Sequence, residues 1–217
     1  MQCPSDVPFF ALLQYSTKPQ TPTTTFFRRC AIAVKGMHSI KGVPAVPQAV
    51  KRLQTQIASG NKAMCECFTP GCVVVPIPSS TILTDKQVTA PMLLCKEMVK
   101  QGVAAEVAPL LRRTKTIPKA HLSKSGDRTT FDTKVDSLAV DHQPVLSGKG
   151  DTFVLVDDVI TTGCTMLAAL AVLQNTYPQA QIRCFAMLRA VSYQEQVTTM
   201  IFPVKGLLTY PPHWREP

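Results

Sequence analysis

The stretch Thr152-Phe-Val-Leu-Val-Asp-Asp-Val-Ile-Thr-Thr-Gly-Cys-Thr165 constrains the fold more than any other part of the chain. A short, β-branched apolar run reads as a strand buried on both faces, the kind found in parallel sheets. It runs into two adjacent carboxylates, Asp157 and Asp158, and at once into Thr161, Thr162, Gly163, Cys164 and Thr165. A long apolar helix pattern follows, with Met166, Leu170, Leu173 and Tyr177 along one face. Ligands of open parallel sheets bind beyond the carboxyl ends of the strands, and the acid pair is expected at such an end. The first turn of the next helix offers unpaired N–H groups and the positive end of its dipole, an anion site. Gly163 lets the backbone approach an anion closely, and the threonines add hydroxyl donors. The loop has no lysine and lacks the GxxxxGK[ST] pattern, so it is not a nucleoside triphosphate loop. A phosphate on one side and carboxylates accepting from vicinal hydroxyls on the other describe a ribose 5-phosphate. The plain alternative is a capped helix start with solvated aspartates.

Around this stretch the pattern is of alternating strands and helices. The apolar run 72–78 reads as a second buried strand. Residues 46–60 read as a helix with Val46, Val50, Leu53 and Ile57 at helical spacing and Gly60 beyond its end. Residues 90–102 read as a helix entered at Pro91 and stopped by Gly102. Residues 29–34 and 104–111 are expected as shorter strands and 181–190 as another. The first 25 residues, rich in Pro, Thr and Gln, are expected to be an irregular lead-in. Residues 112–150 are polar and too long for a plain connection, which points to a mobile loop or flap. The fold class expected is α/β, a doubly wound parallel sheet. The domain plan is 1–25 lead-in, 26–190 α/β domain, and 191–217 a C-terminal extension packed on it, with the N- and C-terminal parts forming a small hood.

Charge is basic, +9 overall, and unevenly placed. No acid occurs between Asp6 and Glu66, a span that carries Lys18, Arg28, Arg29, Lys35, Lys41, Lys51, Arg52 and Lys62. Arg112, Arg113, Lys115, Lys119, Lys124 and Arg128 crowd a second segment. Such an excess suits a phosphorylated small molecule or nucleic acid, and equally a solvated basic face. No run of 18 apolar residues and no signal-peptide pattern is seen, so a cytoplasmic protein without a membrane span is expected. The eight cysteines then read as reduced thiols. The spacing of Cys65, Cys67 and Cys72 lacks the pairing of a zinc site.

The stretch VLVDDVITTGCT resembles the phosphoribosyl pyrophosphate (PRPP) motif of type I phosphoribosyltransferases. That resemblance implies that Asp157 and Asp158 bind ribose hydroxyls and that Thr161, Thr162, Gly163, Cys164 and Thr165 bind the 5-phosphate, with Cys164 as filler. It implies that the turn Ser79-Ser80-Thr81 after the second strand meets pyrophosphate, together with Arg112 and Arg113. The cations Lys115, Lys119, Lys124 and Arg128 would close over the leaving group as a flap. The segment LLRRTKTIPKAHLSKSGDR is similar to the competence-protein-F (ComF-type) members, with Arg112, Thr116, Leu122, Ser123 and Arg128 in place. It departs from them at Lys119, at residues 83–87 where only Gln87 carries over, and in lacking an N-terminal Cys-rich knuckle. The implied activity is Mg²⁺-dependent transfer of 5-phosphoribosyl from PRPP to an unidentified base or amine, with release of pyrophosphate. A homo-oligomer is the expected assembly. The alternative is a PRPP-binding or DNA-uptake accessory protein, weak in catalysis, that contacts nucleic acid through its basic N-terminal region.

Overall fold

The computed structural model describes residues 4, 6–82, 87–118, 130–141, 152–192, 197–209 and 213–215, the last three by backbone alone. The chain begins with β1 (Val7–Ser16) and α1 (Pro22–Lys35), then a small hairpin of β2 (Ser39–Ile40) and β3 (Val43–Pro44). Next come α2 (Ala45–Ala58), α3 (Lys62–Cys67), β4 (Val73–Pro76), α4 (Ala90–Lys100) and β5 (Glu106–Val107). The pair β6 (Leu111–Arg113) and β7 (Leu138–Val140) is antiparallel, with α5 (Phe131–Asp136) between them in sequence. The chain continues through β8 (Thr152–Ile160), α6 (Cys164–Thr176), β9 (Gln181–Val191), β10 (Ile201–Thr209) and β11 (His213–Arg215).

Seven strands form one sheet in the order β11-β10-β1-β9-β8-β4-β5. The five strands from β1 to β5 along this order run parallel, and β10 and β11 extend it antiparallel. Alternation along the parallel strands feeds two cores. Phe9, Val73, Val75, Phe153, Leu155 and Cys184 face α5 and α6 on one side. Phe10, Leu12, Val74, Val154, Val156, Phe185 and Met187 face α1, α2, α3 and α4 on the other. With both faces covered, the strands read as continuous apolar runs. This is the expected doubly wound α/β architecture. From β4 the chain moves outward through α4 to β5, and from β8 it moves the opposite way through α6 to β9. The crevice outside the carboxyl ends of β4 and β8 is therefore the topological switch point where such sheets bind ligands.

Several expectations are corrected. The first 25 residues are not an irregular lead-in, because β1 lies inside the sheet between β9 and β10 with Phe9 to Leu13 buried. Its apolar core outweighs the Pro, Thr and Gln around it, and Pro8 sits near the strand's start. Residues 29–34 are helical, not a strand. Thr21 and Thr24 form a reciprocal capping box with Pro22 in the first turn, so α1 starts seven residues earlier, at Pro22, and carries the apolar run inward as Ala31, Ala33 and Val34. The strand expected over 104–111 is split, since β5 pairs with β4 over two residues only and β6 leaves the main sheet for β7. Residues 201–209 of the expected extension are a full strand paired with β1. Helix α6 buries Cys164 and every residue from Met166 to Leu173 rather than one face, because α5 and β7 cover its outer side.

Candidate functional site

At the switch point the carboxyl end of β8 opens into a cleft of ≈ 350 Å³. Both Asp157 and Asp158 line it. Consecutive strand residues ordinarily point to opposite faces. Here each carboxylate turns toward the strand's end by accepting the amide of the next residue, Asp158 N to Asp157 Oδ1 at 2.8 Å and Val159 N to Asp158 Oδ1 at 3.0 Å. The strand does not stop at the pair, as the sequence suggested, but runs in register with β9 to Ile160. Burial and the neighbouring Asp158 charge push the Asp157 carboxyl well above the usual carboxylate range, while Lys134 pulls it down. On β1, burial and the Asp158 charge raise the Tyr15 phenol.

The loop after β8 ends in Gly163, which is left-handed at φ +79° and stands at the N-cap of α6. It contributes no capping side chain, and the first turn holds no acid. The glycine is needed for a reason the sequence did not show. A Cβ there would run into Cδ2 of Leu208 on β10 and lie 3.1 Å from its Cδ1, so the hydrogen side of Gly163 faces the core. Of the loop residues, Thr165 lines the cleft, whereas Thr161 is exposed, Thr162 is half-buried, and Gly163 and Cys164 are buried.

Across the cleft stands the turn after β4. Ser79 Oγ accepts the Thr81 amide at 3.0 Å and meets Thr81 Oγ1 at 2.9 Å, which holds Ser79, Ser80 and Thr81 in a tight turn. Arg113 anchors this turn: its Nε donates to Ser79 O at 2.8 Å, one terminal nitrogen to Ser137 Oγ at 2.6 Å and the other to Pro78 O at 3.3 Å. Its guanidinium is buried, and that burial lowers its pKa to about 10 against the pull of Asp157. Arg112, the next residue of β6, points to solvent and is not on the cleft wall. Lys115 is exposed and also off the wall. Lys119, Lys124 and Arg128, and with them most of the expected flap, lie outside the described residues.

Three contributors escaped the sequence reading as site residues. Lys134 on α5 is buried at 7% exposure and donates to Thr165 Oγ1 at 2.7 Å. Lys35, at the end of α1, brings one cation of the N-terminal basic block to the cleft. Thr89, the N-cap of α4, lines it with Ala90 and Pro91. None belongs to a local pattern; they meet only through the packing of α5 on α6 and of α1 and α4 on the sheet. Among the described residues, seven cysteines are free thiols, and no group of three or more His, Cys, Asp or Glu could hold a metal. No helix there is long and apolar enough to cross a membrane.

Similar solved structures include adenine phosphoribosyltransferase from Leishmania donovani, 12% identical over 86% of this chain and 90% of that one, with a TM-score of 0.35. The same enzyme from Leishmania tarentolae is 14% identical over 81% and 91%, with a TM-score of 0.35. Both are too distant to bear on the substrate. No curated protein matches the chain. The family model described as "Phosphoribosyl transferase domain" matches residues 96–205, just over half of the 217 residues, and that span contains β8, the acid pair, the Gly163 loop, Arg113 and Lys134. The chain belongs to the phosphoribosyl transferase domain family.

Proposed function

We propose that the cleft binds PRPP and that the protein transfers its 5-phosphoribosyl group to a base or amine, releasing pyrophosphate. One observation carries this reading. The carboxylates near the end of β8, the uncapped start of α6 and the Ser79–Thr81 turn, pinned by Arg113, surround one cleft at the switch point. Family membership supports phosphoribosyl transfer as the general chemistry. In this assignment Asp157 and Asp158 accept from the ribose hydroxyls, and the first turn of α6 with Thr165 takes the 5-phosphate. The Ser79–Thr81 turn receives the pyrophosphate. Arg113 acts on it by fixing the turn and by its field, since each of its three nitrogens already donates a hydrogen bond within the protein. The bond from C1 to the pyrophosphate oxygen breaks as the acceptor nitrogen forms its own bond to C1. The protein's contribution is position and electrostatics around a cationic, oxocarbenium-like sugar.

The resemblance to ComF-type members supports Mg²⁺ as the cofactor and that subfamily as the assignment. Asp157 and Asp158 are hard oxygen donors of the type such a cation takes. Each already gives an oxygen to a backbone amide, so the donor set suits a cation that arrives on the pyrophosphate, where it would neutralise leaving-group charge. The test is release of pyrophosphate from PRPP across a panel of nucleobases and amines, with PRPP affinity measured in parallel. PRPP binding with acceptor-dependent release supports the reading. Absence of PRPP binding overturns it, and binding without release under every acceptor favours the weak-catalyst alternative.

A further inference from the structure

The loop 161–165 contains no basic residue, so its amides, hydroxyls and helix dipole leave the charge of a bound phosphate dianion without a cationic partner. The structure brings a lysine from elsewhere. Lys134 stands on α5, a short helix capped by Thr130 and packed on α6. Its side chain passes inward until Nζ donates to Thr165 Oγ1 at 2.7 Å, the hydroxyl of the loop that lines the cleft. An ammonium has three donors, and this hydroxyl uses one without neutralising any charge. Among the described residues no carboxylate lies within salt-bridge distance of Lys134. Burial holds the Lys134 ammonium below the usual lysine range; Cys164 pulls it back up, Arg113 adds to the fall and Asp157 gives partial relief. A buried ammonium without a paired anion is costly, and an anionic ligand beside it would supply the counter-charge and favour its protonated form. Thr165 is itself assigned to the 5-phosphate, so the ligand group that reaches Lys134 is that phosphate.

We propose that Lys134 is a direct ligand of the 5-phosphate of the sugar substrate, supplying from α5 the cation that the loop itself lacks. This rests on the reading of the cleft as a PRPP site. Lys134 then serves as a specificity residue, selecting a phosphorylated sugar over a free one and leaving the pyrophosphate end to the Ser79–Thr81 turn.

The experiment titrates PRPP, ribose 5-phosphate, ribose and inorganic pyrophosphate into the full chain, as wild type, Lys134→Met and Lys134→Arg. Lys134→Met should weaken PRPP and ribose 5-phosphate about 10- to 100-fold, the loss of a charged hydrogen-bonding partner, and leave pyrophosphate unchanged. Lys134→Arg, which keeps the charge, should recover part of that loss. In phosphorus NMR of bound PRPP, the 5-phosphate line should move between wild type and Lys134→Met while the two pyrophosphate lines stay. Equal weakening of pyrophosphate and ribose 5-phosphate overturns the assignment, as does unchanged ribose 5-phosphate affinity. If wild type binds no phosphorylated ligand, the PRPP reading itself falls. If Lys134→Met does not fold, a structure of wild type with ribose 5-phosphate decides: the phosphate should lie about 3 Å from Nζ, and a phosphate beyond direct contact refutes the proposal.

Discussion

Replacing Gly163 by alanine tests how the loop 161–165 is held. A residue with a Cβ in the left-handed region at φ +79° costs about 1–2 kcal/mol. The same Cβ would overlap Cδ2 of Leu208 and crowd its Cδ1 and Cγ at 3.1 and 3.2 Å. Leu208 is fully buried, so it has little room to yield, and overpacking of this kind adds about 1–3 kcal/mol. Gly163→Ala should therefore lose about 2–5 kcal/mol in urea unfolding. Leu208→Ala alone should lose about 2–5 kcal/mol through its cavity. Together the two changes should cost less than their sum by about 1–3 kcal/mol, because removing the leucine side chain removes the overlap. The double variant should also regain affinity for ribose 5-phosphate lost in Gly163→Ala. Losses that add to within about 0.5 kcal/mol would refute the contact with Leu208. Additive stability with persistent loss of phosphate affinity would return Gly163 to the role expected from sequence, a close approach of backbone to anion.

Asp157→Asn should raise the melting temperature while weakening PRPP binding. The folded carboxyl prefers its proton, so the native aspartate loses stability as pH climbs above about 4, and the advantage of asparagine should vanish in acid and grow toward neutrality. A melting-temperature difference that is flat from pH 4 to 8 would contradict this. Arg113→Met should destabilise by about 2–5 kcal/mol in urea, since Ser137 Oγ and the carbonyls of Pro78 and Ser79 lose their donor, and it should weaken pyrophosphate more than ribose 5-phosphate. Thiol titration of the native protein at pH 8 should modify Cys30 and Cys65, which are part-exposed, and spare Cys67, Cys72, Cys95 and Cys184, where burial pushes Cys72 up to about 11 and Cys184 to about 12. Rapid reaction of Cys67, Cys72, Cys95 or Cys184 without unfolding would contradict their burial in the core.

The parts legible in sequence are those whose signals are local. β8, the acid pair and the start of α6 follow one another within fourteen residues, and each residue type there has one natural use. α2, α4, β4 and β9 were legible from period and from Gly60 and Gly102, both of which adopt positive φ. β1 was missed because a strand buried at mid-sheet shows no alternation, and its neighbours 17–25 dominated the composition of the window. α1 was read as a strand because "RCAIAV" is apolar enough for either, although Thr21-Pro22-Thr23-Thr24 announces a helix start. Lys134, Lys35 and the contact of Gly163 with Leu208 depend on segments 31 to 130 residues apart in the chain, and no window on the sequence joins them.

The place of β1 has a consequence for synthesis. This strand, spanning residues 7–16, finds its partners only in β9 and β10, residues 181–209. A ribosome must therefore make most of the chain before the first strand can dock, and until then its apolar residues stand as an unpaired edge. The late strand β10 also brings Leu208 against Gly163, so the loop 161–165 should be the last part of the cleft to be fixed in shape. Nascent chains halted before residue 200 should hold the α6 segment without a settled loop and should depend on chaperones. Ligand capture should appear only once β10 has been released and paired.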